Sequence, residues 1–553
     1  MLKIRSVILS GIFFILCILE SQSQINFTSS NLPIVVINTN GRTIVDEPKI
    51  PAVMGIIDNG PGQINSVSDS FNDYNGNIGI ELRGSSSQMF PKNNYGIETW
   101  DENLQDTSVS ILGMPEEEDW VLHGPYSDKS LIRNLLTFKL ARDMGRYASR
   151  TRLCELMLNG EYWGVYVFME KVKRDSSRVN ISKLNPDEIS GDDITGGYII
   201  KIDKFDGGNS GDGWPSPYRP PNYSNPNQQI YFQFDYPKND EIVPQQKAYI
   251  QQFITDFETA LLSKPLDDQV SGYKTYIDIG SFIDFAIINE VTRNIDAYRL
   301  STFLYKDKSS QGGKLFIGPI WDYNLAFGNA DYCLGWSKEG WAWDFNNICN
   351  EDFWLIPFWW RRFMVDREFT TLLKNRWLEL RNDIFSTANI HAYIDSVTSV
   401  LNMPRLRNFQ RWNIIGSYVW PNWYIGNSYI DEINYLKSWI SERMLWLDDN
   451  FGDILTSLDG LSSHQDQIRM YPNPFNDKIM LEFIKLPPGE AQFEVFNALG
   501  QKIFQDRIMI IDNAPHIVWD GNDIEGQKVP AGIYISIVTT VDKIIYKSRL
   551  IRF

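Results

Sequence analysis

The chain has 553 residues, 43% hydrophobic and 22% charged, with a formal net charge of −17 at pH 7. This length and apolar content allow a sizeable core and more than one domain, and exclude disorder as the dominant state. The acidic balance repels nucleic acid and argues against DNA or RNA as partner, but does not oppose a nucleotide carried with its own metal.

Lys3 and Arg5 precede an apolar stretch from Val7 to Leu19, and polar residues follow from Glu20 to Gln24. This order predicts a secretory signal peptide over 1–24. No later segment approaches the roughly 18 uninterrupted apolar residues of a membrane helix, so the expected location is outside the cytoplasm. One large body is expected over about 30–450, then a linker rich in Ser, Asp and Gln over 453–467, then a C-terminal unit over 469–553.

The large body opens with predicted strands over 34–38, 52–57, 78–82 and 95–99. A helix follows, with Asp128 as expected N-cap, Leu131, Ile132, Leu135, Leu136 and Leu140 as its apolar face, and Gly145 as its stop. Strands over 153–158 and 162–169 flank Asn159-Gly160, a two-residue hairpin signal. A loop rich in Gly, Pro and Asn over 207–228 precedes mostly helical sequence.

Ile279, Phe282, Ile283, Ala286 and Ile287 form a helical stripe that runs into Asn294-Ile295-Asp296. Two strand-like runs follow, 301–305 and 314–320, joined by a turn over 309–313. Asp296 enters this hairpin and Asp322 leaves it, so two carboxylates distant in sequence can face one pocket. The run from Gly318 to Gly328 places Asp322 and Asn324 at a strand end, hard oxygen donors of the kind magnesium prefers. Its plain reading is a strand, a polar turn and a packed aromatic. Phosphoryl transfer needs one carboxylate to orient the attacking hydroxyl and another to hold magnesium on the phosphates. Lys92 can add charge to the phosphates, or be an ordinary solvated side chain. Glu170, ending a strand, can serve the pocket or be an edge-strand charge.

Of the four cysteines, Cys17 lies in the signal segment, Cys333 and Cys349 are disulfide candidates, and Cys154 is expected as a buried free thiol. Trp336, Trp341, Trp343, Phe345, Phe353, Trp354, Phe358, Trp359 and Trp360 crowd the region after Asp322. They suit either carbohydrate stacking or the packing of an insertion. Beyond Tyr471-Pro472-Asn473-Pro474-Phe475, strands are expected over 478–484, 491–496, 516–519, 532–540 and 543–551, the pattern of a small β-sandwich.

Five motifs stand in order: Leu82-Arg83-Gly84-Ser85-Ser86-Ser87 with Phe90-Pro91-Lys92; Ser130-Leu131-Ile132-Arg133-Asn134; Leu158 to Tyr166 with Glu170; Asn294 to Asp296; and Trp321-Asp322-Tyr323-Asn324 to Gly328. In them the chain resembles the CotH kinase family, atypical protein kinases with a divergent kinase-like fold. The resemblance implies an α+β chain with a two-lobed kinase-like domain, and ATP and Mg2+ as cofactors. It implies Asp296 as catalytic aspartate, Asp322 with Asn324 at the metal, and Lys92, Glu170 and Arg83 at the nucleotide. Asn324 stands where many relatives carry an acid, and Ser301 stands where a kinase-type loop carries asparagine. Tyr471 to Phe475, Asn497-Ala498-Leu499-Gly500, Gly526 to Gly532 with Tyr534, and Lys547 and Arg549 resemble the type A C-terminal sorting domain of the type IX secretion system of Bacteroidota. That implies passage through this machinery to release or surface anchoring.

Three functions remain open at this level. The first is a secreted kinase-like phosphotransferase acting on Ser or Thr of extracytoplasmic proteins. The second is a non-catalytic surface protein for binding or adhesion. The third is a glycan hydrolase using Asp296 and Asp322 as its carboxylate pair.

Overall fold

The computed structural model describes residues 25–205, 212–451, 468–473, 475–483, 489–497, 501–510, 516–540 and 545–552. The expected signal peptide and the 453–467 linker lie outside the described residues, as do 206–211 of the Gly/Pro/Asn loop and Ala498-Leu499-Gly500. The chain divides into two compact units, one formed by 1–126, 151–170 and 396–415, the other by 127–150, 171–395 and 416–553.

The first unit is a closed barrel of seven strands: β1 (Ile34–Asn38), β2 (Ile50–Ile57), β3 (Tyr74–Arg83), β4 (Asn94–Trp100), β5 (Asp119–His123), β6 (Thr151–Leu158) and β7 (Glu161–Glu170). Neighbours run β6-β7-β5-β4-β3-β2-β1, and a parallel pairing of β1 with β6 closes the ring. Closure leaves no free sheet edge. The strands predicted from alternation are all present, and the hairpin turns at Asn159 and Gly160 with φ of +52° and +82°. Val35, Met54, Ile80, Ile97, Trp120, Leu156 and Phe168 belong to the barrel core. Cys154 is there too, a free buried thiol, and burial pushes its pKa up.

A short helix of the same unit, Pro404–Arg411, is tied to β6 and β7. Arg407 donates through Nε and Nη2 to the fully buried Glu155 at 2.9 and 2.5 Å, and Asn408 Oδ1 accepts from Val165 N–H at 3.1 Å.

The second unit starts with α1 (Arg133–Asp143). Asp128 stands five residues ahead of Arg133 rather than at the predicted N-cap, which Ile132 occupies. It still serves the helix start, because Leu131 turns through φ +66° and lets Asp128 Oδ2 accept the Arg133 N–H at 2.9 Å. A five-stranded antiparallel sheet follows, ordered β9-β10-β8-β11-β12, from β8 (Tyr198–Ile202), β9 (Gly213–Pro215), β10 (Tyr231–Tyr236), β11 (Thr302–Lys306) and β12 (Leu315–Ile317). β11 and β12 are the expected hairpin. β8, β9 and β10 are not anticipated from sequence: β9 lies inside the Gly/Pro/Asn-rich loop, and β8 is seated between β10 and β11, the latter roughly a hundred residues further along the chain. α2 (Pro244–Ser263), α3 (Ile279–Thr292), α4 (Trp359–Val365), α5 (Arg367–Arg381) and α6 (Tyr429–Phe451) are among the helices of this body. α3 is buried on every side from Ser281 to Thr292, the mark of a central helix.

Residues 341–360 settle most of the aromatic crowding as packing. Trp341, Trp343, Phe345, Trp359 and Trp360 are buried, while Phe353 is exposed. Cys333 and Cys349 are disulfide-bonded.

The C-terminal residues form a three-stranded sheet of β13 (Ile468–Tyr471), β14 (Ile479–Phe483) and β17 (His516–Trp519). Beside it in sequence lies a four-stranded sheet of β15 (Gly489–Phe496), β16 (Lys502–Ile510), β18 (Gly532–Thr540) and β19 (Ile545–Arg552). Leu481 and Trp519 of one sheet share a core with Phe493, Val538 and Leu550 of the other. β13 and β16 are additional to the predicted strands.

One buried acid makes stability depend on pH. Glu258, on α2, is 1% exposed and accepts from Ser216 Oγ at 2.7 Å and Trp359 Nε1 at 2.9 Å. Burial raises its pKa from 4.5 to about 7 despite these bonds. A raised folded pKa gives stability that is complete below the unfolded value and is lost as pH rises through about 7. Glu258→Gln is therefore expected to gain stability over the parent, by about 2–3 kcal/mol, between pH 4.5 and 8.5. Denaturant unfolding at the two pH values checks this; an equal difference at both would refute it.

Candidate functional site

The expected site residues fall in both units. In the barrel, Arg83 ends β3 opposite Asn94, and Lys92 lies two residues before that partner, so both belong to one end of β4. Lys92 is 1% exposed; its Nζ donates to Asn408 Oδ1 at 2.9 Å and Pro125 O at 3.3 Å and lies 5.1 Å from the Tyr166 ring centroid. Glu170 is fully buried at the far end of β7, opposite Trp120. Asn408 also binds the Val165 N–H, five residues before Glu170, which puts the level of Lys92 and that of Glu170 about 16 Å apart along the strand.

The second unit brings Asp296, Asp322 and Asn324 into one neighbourhood. α3 ends on Arg293 in the left-handed region, φ +41°, and the chain turns through Asn294 and Asp296. Asn294 Nδ2 donates to the Asp322 carbonyl at 3.2 Å, tying the helix exit to the strand exit. Asp322 itself has φ +62°, a conformation uncommon for a residue with a Cβ. Tyr323 is 2% exposed, its hydroxyl donating to Asn289 Oδ1 at 2.7 Å. With Tyr323 anchored inward, its neighbours Asp322, exposed, and Asn324, half-buried, lie toward solvent.

Asp296 is held by the buried Arg299, whose Nη2 donates to Oδ1 at 3.0 Å. Arg299 also binds Asp352 Oδ1 at 3.1 Å and the Trp354 carbonyl at 3.0 Å. Burial pushes the Tyr332 hydroxyl pKa up, and the charges of Asp296, Asp352 and Asp322 push it further, while Arg299 opposes them. Tyr332 thus feels both candidate carboxylates. The Asn324 side-chain amide has no hydrogen-bond partner among the described residues, so its carbonyl oxygen is available as a ligand. One carboxylate and one amide oxygen are a hard donor set that suits a divalent cation keeping most of its waters.

The 130–134 motif supplies support that sequence reasoning did not assign. Asn134 Oδ1 accepts the Tyr323 N–H at 2.6 Å, and Arg133 Nε donates to the Ala326 carbonyl at 3.0 Å. Arg133 is itself paired with Asp128 at 2.6 Å. Gly328 has φ +73°, and a Cβ there would collide with Trp439 Nε1 and Tyr435 OH, so glycine is required where the run turns under α6. The legible signal for Arg133 and Asn134 was their place at the helix start, directly before the apolar Leu135 and Leu136.

Beneath these turns lies a fully buried ion pair, Glu290 of α3 with Arg443 of α6, at 3.1 Å. Glu290 also accepts from Tyr298 OH and from the Ala342 and Trp343 N–H groups. Arg443 donates to the carbonyls of Glu290, Lys338 and Gly340. Burial pushes Glu290 up and Arg443 down in pKa, and their mutual attraction resists both shifts.

A family model described as CotH kinase protein matches residues 80–447, and one described as secretion system C-terminal sorting domain matches residues 469–552. No curated protein matches the chain. Among solved structures, dimeric latent PorU from Porphyromonas gingivalis is 16% identical over 15% of this chain and 9% of its own, with a TM-score of 0.15. PorZ, an essential surface component of the type IX secretion system of the same organism, is 21% identical over 17% of this chain and 12% of its own, with a TM-score of 0.14. The alkylpurine DNA glycosylase AlkC of Pseudomonas fluorescens is 12% identical over 36% of this chain and 55% of its own, with a TM-score of 0.11. Likenesses this low carry neither fold nor function across.

Arg443→Ala would leave Glu290 buried without its counter-charge, and a loss of about 3–5 kcal/mol is expected. Denaturant unfolding measures it, and a loss below about 1 kcal/mol would refute the central role given to the pair.

Proposed function

Because the chain belongs to the CotH kinase protein family and ends in a secretion system C-terminal sorting domain, we propose that it is an exported phosphotransferase moving the γ-phosphoryl group of ATP to Ser or Thr hydroxyls of extracytoplasmic proteins. The sorting domain marks it for the cell surface or for secretion, and no helix among the described residues is long and apolar enough to cross a membrane. We read the region matched over residues 80–447 as a divergent kinase-like domain of two lobes, and the two C-terminal sheets as a small β-sandwich.

The observation that carries the reading is the tie between the Asp296 turn and the Asp322 turn through Asn294. Asp296, with Oδ1 steadied by Arg299, takes the proton of the acceptor hydroxyl through its other oxygen. The acceptor oxygen then bonds to the γ-phosphorus as the bridging bond to the β-phosphate breaks and ADP leaves. Asp322 and Asn324 would hold Mg2+, which supplies neutralising charge to the phosphates. Arg83, Lys92 and Glu170 are the nucleotide-facing residues in this reading. Lys92 must then exchange its bonds to Asn408 and Pro125 for phosphate oxygens. The non-catalytic alternative draws on the same features: a neutral Asn324 weakens a metal site, and Arg299 already partners Asp296.

Radiolabel transfer from ATP to an extracytoplasmic protein extract, or to the chain itself, tests the proposal. Asp322→Ala and Asp296→Ala are each expected to lower transfer by at least about 100-fold. Asn324→Asp is expected to lower the Mg2+ concentration for half-maximal activity by restoring a charge. Transfer unaffected by Asp322→Ala would refute the assignment. Absence of both transfer and Mg-ATP-dependent thermal stabilisation would favour the binding protein.

A further inference from the structure

The most exposed aromatic surface of the second unit lies not in the 341–360 crowd but in the loop over 418–424. There Tyr418, Trp420 and Trp423 are 54%, 40% and 48% exposed. The rings are ordered in pairs. Trp423 stacks on Trp336 with centroids 4.2 Å and planes 12° apart, and Trp420 lies within 3° of parallel to Tyr332 at 6.3 Å. Backbone bonds hold the two strips together, from Asp331 N–H to Pro421 O at 2.8 Å and from Trp423 N–H to Asn329 O at 3.0 Å. The Tyr332 strip is also pinned by the Cys333–Cys349 disulfide. Indoles that cost this much apolar exposure, yet are locked flat by backbone and ring contacts, indicate a binding surface.

We propose that this platform binds the sugar rings of a neutral glycan carried by the acceptor. The C–H face of a pyranose matches a flat, immobilised indole, and its hydroxyls find a polar partner at the rim in Asp331, which accepts from Tyr418 OH at 2.7 Å. Parallel planes offer no socket of the kind that seats a peptide anchor. A rim carboxylate on a chain of net charge −17 disfavours an anionic polymer. The platform leads to the chemistry: Tyr332, which backs Trp420, is the residue whose hydroxyl feels Asp296 and Asp322. Glycan capture stands on the platform alone, and only the claim that the glycan belongs to the acceptor rests on the phosphotransferase reading.

Affinity electrophoresis of the full chain in native gels containing barley β-glucan, birchwood xylan or galactomannan tests this. Retardation by at least one polysaccharide is expected, weakened at least 10-fold by Trp423→Ala and by Trp420→Ala. Trp423→Phe, which keeps a flat ring, should retain binding and controls for folding, together with an unchanged melting temperature. Asp322→Ala should leave retardation intact while abolishing phosphoryl transfer, so that loss of one function is distinguishable from loss of the other. No retardation by any of the three, or retardation indifferent to both alanine variants, would overturn the proposal. Retardation reversed by an unglycosylated protein such as bovine serum albumin would assign the surface to protein and overturn it equally.

Discussion

The buried pair of Glu290 and Arg443 is the contact on which the candidate site depends. A carboxylate and a guanidinium removed from water are tolerated only when nearly all their hydrogen-bonding capacity is met. Here that requirement recruits the end of α3, the middle of α6, Tyr298 and the backbone of 338–343. The turn carrying Asp296 leaves α3 three residues beyond Glu290, between Glu290 and its partner Tyr298. Asp296 is therefore positioned from below by that network and by Arg299, which holds its Oδ1.

Strain is concentrated in the same region. Arg293, Tyr298, Ser301, Asp322, Phe327, Cys333 and Leu334 all have positive φ without being glycine. Each is costly in isolation, and such conformations persist where surrounding structure over-determines them. The supports are identifiable: Asn134 on the Tyr323 N–H, Arg133 on the Ala326 carbonyl, Asn294 on the Asp322 carbonyl, and the disulfide beside Leu334. The motif of 130–134 is explained by this work of support, since neither Arg133 nor Asn134 is solvent-exposed.

Much of the architecture was legible locally. Local pattern exposed six of the seven barrel strands, all but β5, Asn159-Gly160 exposed their hairpin, and the apolar stripe exposed α3, because each depends on neighbours within a few residues. β8 and β10 were not legible: β8 is justified by β11, roughly a hundred residues further along the chain, and β10 by β8 and by β9, a strand inside the Gly/Pro/Asn-rich loop. The aromatic residues were visible, but their roles were not. Trp343 and Trp359 are buried, and the exposed tryptophans Trp420 and Trp423 belong to the Tyr-Val-Trp-Pro-Asn-Trp-Tyr run, whose lack of helical period was the available signal. Lys92 reads as a surface charge by composition and is 1% exposed, because the barrel end and the 404–411 helix cover it.

By itself the sequence determined the family, the sorting domain and which acidic and amide residues are candidates for the site, since ordered motifs and short-range pattern are properties of the chain. Tertiary structure alone decided which of those donors meet. Asp296 and Asp322 share a neighbourhood because α3 and the β11–β12 hairpin end together and Asn294 bridges the two exits. Whether a tryptophan is core or platform was decided in the same way, by what happened to pack against its second face, and no local pattern encodes that.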